Sequence, residues 1–148
     1  MARLYSIDEC KKIIESLVGD EEINNQGNNR YFLTKHRAYS LVYVSQTKSS
    51  EDSKGHWDYQ FFHTLGMSTI SEILEGGGML LLIDYMNRRH CLLRTEDIVW
   101  LIRHSSRDKG GKKEAVVDIV IQESNGEFYL DPYKKEVTDK RLVIVNQN

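Results

Sequence analysis

The chain lacks most of the signals that announce a chemistry. It has two cysteines, Cys10 and Cys91. They form no CxxC pair and each sits in an apolar stretch, which predicts buried free thiols in a reducing cytoplasm and no disulfide or metal staple. The five histidines show no HxH or HxxxH spacing, and His56 and His63, seven residues apart on one strand, fall on opposite faces. No metal set and no cofactor are therefore expected. GxSxG is missing, and neither cysteine has a basic or helix-start setting, so nothing suggests a nucleophile. Three successive glycines, Gly76, Gly77 and Gly78, follow a helix and are not trailed by Lys-Ser/Thr, the reverse of a phosphate loop. The longest apolar run, Met79 to Ile83, is far too short to cross a bilayer. The opening MARLYSIDECKK has no basic region leading into an apolar one, so the expectation is a soluble cytoplasmic protein with no membrane partner. Neither sign of charge dominates: 20 Lys and Arg against 22 Asp and Glu leave a net −2. That excludes a global pull toward polyanions and makes any nucleic-acid surface a local one.

What is present reads as one domain over residues 1–148: an N-terminal helix (1–19), a polar connector (20–30) and a sheet-rich body (31–148). A chain of this length buries roughly two thirds of its unfolded surface. Ser6-Ile7-Asp8-Glu9 is a capping box, with Tyr5 and Cys10 at the staple positions. Cys10, Ile13, Ile14, Leu17 and Val18 follow helical spacing, and Gly19 is placed to end the helix in a left-handed conformation.

Tyr31 to Lys35 predicts a short strand, and Tyr39 to Gln46 a central one, apolar on both faces. A polar loop follows, then His56 to His63, whose alternation separates Trp57, Tyr59, Phe61 and His63 from His56, Asp58, Gln60 and Phe62. Thr69 with Glu72 predicts a second capping box, for a helix ending at the glycines. Met79 to Met86 and Arg89 to Arg94 predict a hairpin across Asn87-Arg88. Thr95 is placed to cap a third helix, with Glu96 and Asp97 at its positive end. Arg107 to Lys113 is the most basic loop. Val116 to Ile121 reads as a buried strand returning through an Asn125-Gly126 hairpin, which Asp131 and the only proline, Pro132, bring to an end. Leu142 to Val145 supplies a last strand. The expected class is α+β, with about eight strands in a strongly bent mixed or antiparallel sheet, partly closed into a barrel, and three flanking helices.

Two acids interrupt apolar strands, Asp84 and Asp118, and two strand carboxylates are a route to a magnesium ion and hydrolysis. Each suits an exposed sheet face equally well. A restriction-type cleavage core needs an acidic-x-Lys element on a strand; Glu9-Cys10-Lys11 lies in a helix and Asp52-Ser53-Lys54 in a loop. Basic residues gather at three turns: Lys35, His36 and Arg37; Arg88, Arg89 and His90; Arg107, Lys109, Lys112 and Lys113. Along one rim of a bent sheet they would meet phosphates without reading sequence. The polar positions His56, Asp58 and Gln60 would then reach a base edge.

The succession of an aromatic strand ending in Leu65-Gly66, the strand Met79 to Ile83, a short return, a helix entered at Thr95, and Asp118-Ile119-Val120-Ile121 before an Asn-Gly hairpin resembles the target-recognition domains of some bacterial restriction endonucleases. The likeness covers residue 31 to about residue 131. It implies a shape related to the small pseudo-barrel readers of DNA. It also implies a DNA-reading role in a bacterial or phage restriction or defence system, with the nuclease or an ATPase supplied by a partner. The expectation is thus a DNA-binding module and not an enzyme. The alternatives are a small magnesium-dependent hydrolase using Asp84 and Asp118, and a protein-interaction subunit of a larger assembly.

Overall fold

The computed structural model describes residues 3–19, 22–27, 29–33, 41–47, 59–76, 78–85, 88–108, 115–124, 127–131, 141–143 and 146–147, some strand residues by backbone alone. In chain order the elements are α1 (Ile7–Val18), β1 (Ile23–Asn25), β2 (Arg30–Leu33), β3 (Leu41–Thr47), β4 (Tyr59–Gly66), α2 (Met67–Glu75), β5 (Met79–Asp84), β6 (Arg89–Leu93), α3 (Thr95–Ser105), β7 (Ser106–Asp108), β8 (Ala115–Ser124), β9 (Glu127–Asp131), β10 (Arg141–Val143) and β11 (Asn146–Gln147).

The fold is α+β with three helices, as the sequence predicts, but the strands divide between two sheets. The first is mixed, in the order β1-β2-β3-β5-β6-β11, and the second runs β10-β9-β8-β4 with β7 also beside β8. The described strands thus form two sheets where one is expected, and neither closes on itself among the described residues. The division comes from β4, which leaves the first sheet and pairs with β8 from Tyr59↔Glu123 to Gly66↔Val116. The excursion through β4 and α2 is long enough for the chain to return beside β3 in the same direction, and β3 and β5 pair in parallel.

Burial follows from the alternation along β5, where all six residues are buried. Met79, Leu81 and Ile83 join Cys10, Ile13 and Ile14 of α1 with Tyr31, Leu33, Val42 and Val44. Leu80 and Leu82 join Ile70 and Ile73 of α2, Ile98 and Leu101 of α3, and Val117, Ile119 and Ile121 of the second sheet. The first sheet therefore lies between α1 on one face and α2, α3 and the second sheet on the other. Cys10 and Cys91 are buried free thiols, as expected.

The helix ends show which local signals hold. Ser6 Oγ accepts from the Glu9 N–H at 3.1 Å and Glu9 Oε1 accepts from the Ser6 N–H at 3.1 Å, so the capping box forms. Gly19 ends α1 at φ 75°. The second predicted box does not form: α2 begins at Met67 with Gly66 as its cap, and Glu72 turns instead to Arg30, 2.7 Å from Nη2. Thr95 is the first residue of α3, not its cap; the Arg94 N–H donates to Asp97 Oδ2 at 3.0 Å. The hairpin after β5 pairs Asp84 with Arg89, so its link is residues 85–88 and not Asn87-Arg88 alone. Two stretches expected to be irregular hold strands, β1 within the polar connector and β7 within the basic loop. The Ser124↔Glu127 pair leaves a two-residue link where Asn-Gly predicts one.

The glycine run marks a close approach. A Cβ on Gly78 would stand 2.6 Å from the Leu41 carbonyl oxygen and 2.9 Å from that of Ile73. The end of α2 can meet β3 only where there is no side chain.

Candidate functional site

Of the residues singled out by sequence, Lys35, His36, Arg37, His56, Asp58, Lys109, Lys112 and Lys113 lie outside the described residues. Gln60 stands in β4 opposite Gln122, and Arg107 in β7 opposite Val116. The remainder can be placed in detail.

Asp84 and Asp118 are both fully buried. Asp84 follows Leu80 and Leu82 in alternation, so it faces the core shared by the two sheets. Asp118 lies between Val117 and Ile119, which face that same core, so its carboxylate is on the opposite face of the second sheet. It accepts a hydrogen bond from Thr64 Oγ1 at 2.8 Å. The two carboxylates thus belong to different sheets and do not share a face. Among the described residues no three His, Cys, Asp or Glu side chains come together to hold a metal ion.

The described strands that flank the first two basic clusters end at opposite ends of the first sheet. Parallel β3 and β5 have one end marked by Val42↔Met79 and the other by Thr47↔Asp84. Residues 34–40 join Leu33 to Leu41 at the first end, while Arg88 and Arg89 follow Asp84 at the other. The seven residues of β3 separate these attachments by about 20 Å. The third cluster belongs to the second sheet, where the Asp108↔Ala115 pair makes residues 109–114 the link of a hairpin. Lys35, His36 and Arg37, with Lys109, Lys112 and Lys113, lie outside the described residues, so the shared rim stands as an expectation.

Arg88, Arg89 and His90 have three different environments. Arg89 stands in register with Asp84 across the hairpin, where opposite charges on neighbouring strands attract. His90 pairs with Ile83, which faces α1, so its ring is on the α1 side of the sheet. It is buried and its Nδ1 has no hydrogen-bond partner among the described residues. Desolvation lowers its pKa, because a buried imidazolium has lost its water.

Arg88 adopts a left-handed backbone, φ 56°. Its Nη2 donates to Glu9 Oε2 at 2.7 Å, and its guanidinium carbon lies 4.0 Å from the centroid of the Tyr5 ring. Glu9 also accepts from Arg3 Nη1 at 2.6 Å. Arg3, the Ser6 amide and Arg88, in that order, push the Glu9 carboxyl down to about 2. Gln46 completes the junction: its Oε1 accepts from the Tyr5 N–H at 2.8 Å and its Nε2 donates to the Tyr5 carbonyl at 3.1 Å.

These interactions orient α1. Its start is tied to Gln46 at the Asp84 end of the sheet, and Ile23, just after it, pairs with Leu33 at the Leu41 end. The helix therefore runs against β3 and β5, with its Glu9 flank toward β6. A shallow groove of about 260 Å³ follows that flank past Tyr5, Glu9, Lys12, Ile13 and Ser16. Leu4 and Ile7, close in sequence to Tyr5, are 57% and 52% exposed. The sequence pattern around Glu9 marks only a cap, and nothing in it marks Tyr5 and Gln46 as partners. No local pattern signals an ion pair between residues 79 positions apart.

Comparison with family models, curated proteins and solved structures finds no match for this chain.

Proposed function

We propose that this chain is a DNA-binding module, not an enzyme, and serves as the recognition component of a restriction or defence system in the bacterial or phage cytoplasm. The catalytic subunit, a nuclease or an ATPase, is supplied by a partner. The reading is carried by the β7–β8 pairing. Asp108 opposite Ala115 closes a hairpin whose link contains Lys109, Lys112 and Lys113, with Arg107 on the adjoining strand. A hairpin link rich in lysine suits the phosphate backbone: each phosphate it neutralises releases condensed counterions, and sequence is read elsewhere. His56, Asp58 and Gln60 are assigned to base edges in this reading, and the likeness to pseudo-barrel DNA readers belongs to it as well.

The hydrolase alternative has less support, since Asp84 and Asp118 lie on different sheets. The test is a salt titration of duplex binding. Replacing Lys112 and Lys113 together by alanine should reduce the slope of log affinity against log salt by about 1.8, or 0.9 for each phosphate no longer neutralised. A slope that does not move, or no duplex binding even at low salt, overturns the assignment.

A further inference from the structure

Arg3 and Arg88, brought from distant parts of the sequence, are held by a single carboxylate. Glu9 divides its oxygens between two tasks. Oε1 takes the Ser6 N–H and Arg3, and Oε2 takes Arg88. The capping box needs only the first, and glutamine at this helix position supplies it equally well. Among the described residues the second oxygen serves Arg88 alone.

Two guanidiniums against one carboxylate leave an excess positive charge, and both are within reach of solvent: the Arg3 side chain is 68% exposed and that of Arg88 39%. A guanidinium carries five N–H donors. Arg88 directs Nη2 to Glu9, and its other nitrogens meet no acceptor among the described residues. The fork that grips a carboxylate grips a phosphate by the same geometry. A non-glycine residue at φ 56° is also uncommon. Here it aims the guanidinium back across Tyr5 toward α1.

We propose that Glu9 is the internal occupant of a phosphate site formed by Arg3 and Arg88. A nucleic-acid phosphate reaches that site only by displacing the carboxylate, so the free protein masks part of its own binding surface. This rests on the DNA reading above and adds to it a second phosphate site, remote in sequence from the β7–β8 hairpin and gated from within. The N-terminal end of α1 thereby becomes sensitive to DNA, because releasing Glu9 also removes one of its ties to the sheet.

Glu9→Gln keeps the capping hydrogen bond and removes the competing charge. In a salt titration with duplex DNA, it should bind several-fold more tightly than the wild type at each salt concentration with a similar log-log slope, because both complexes carry the same phosphates and only the wild type must first displace the carboxylate. Adding Arg88→Asn, which tolerates the left-handed backbone, should remove that residue's share of the gain and lower the slope by about 0.9. Glu15→Gln removes a carboxylate from the same helix that holds no guanidinium among the described residues, and should leave the affinity near the wild-type value. If Glu9→Gln does not fold, Glu9→Asp keeps charge in the first turn but shortens its reach, and should also raise the affinity.

No gain in affinity in the folded Glu9 variant, or an equal gain in Glu15→Gln, overturns the gate. In that case the DNA reading survives if the wild type still binds through Lys112 and Lys113. Failure of wild type and Glu9 variant alike to bind at low salt overturns both.

Discussion

The two faces of the first sheet are held by different forces. On the inner face, Leu80 and Leu82 meet α2, α3 and the second sheet through apolar side chains drawn from most of the chain. On the outer face a single helix lies on a smaller apolar patch, and polar interactions fasten its start: Gln46 to the Tyr5 backbone, Arg88 to Glu9 and the Tyr5 ring. Apolar burial sets how much stability a layer contributes but is indifferent to small displacements. Hydrogen bonds and ion pairs contribute less and fix position. The inner layer should therefore govern global unfolding, while α1 should be able to open by itself.

Core truncation separates the faces most strongly. Leu82→Ala should cost about 3–5 kcal/mol and lower amide protection throughout the protein, whereas Ile14→Ala should cost about 2–3 kcal/mol. The second loss should fall first on α1, β1 and β2 in hydrogen exchange. Equal loss of protection everywhere in both variants would mean that the two faces unfold as one unit.

Next in size is Gly78→Ala, where the new Cβ must push backbone carbonyls of Leu41 and Ile73 apart. A cost on the order of 2 kcal/mol is expected, read as a lowered denaturation midpoint. Ser6→Ala removes one cap and should cost about 1 kcal/mol, with increased exchange confined to the first turn of α1.

The smallest effect is a pH dependence on the outer face. Burial lowers the pKa of His90 below its ordinary 6.5. The unfolded chain therefore takes up the proton first as pH falls through 6.5, and stability declines from there until the folded histidine titrates. Above 6.5 the ring is neutral in both states and contributes no slope. His90→Leu should flatten this part of the stability profile, and an unaltered profile would assign it to other groups. The Glu9 contribution is lost lower, as pH falls from 4.5 toward about 2.

Much of the fold was legible wherever a signal and its partner lie close in sequence. The Ser6–Glu9 capping box spans four residues and forms as read. Thr69–Glu72 offers the same pattern and fails, because α2 begins at Met67 and an arginine on β2 claims Glu72. MLLLI was legible as an apolar run and one strand of a hairpin, but that both its sides are buried, and by what, was not. Alternation carries no information about partners. β4 illustrates this: its pattern marks a strand, and only its pairing with β8 makes two sheets where one was expected. The candidate site was legible to the same extent. Arg88 was recognisable as a cation at a turn. That it is already occupied depends on Glu9, which reads locally as a cap.

Propensity, periodicity and capping act over a few residues, and they suffice for the α+β class, the three helices, most of the strands and the buried cysteines. The parallel pairing of β3 with β5, the assignment of Asp84 and Asp118 to separate sheets, and the grip of Glu9 on Arg3 and Arg88 arise only in the packed chain. Those outcomes depend on which buried faces can be satisfied together in three dimensions, a condition on the whole molecule that no short window contains.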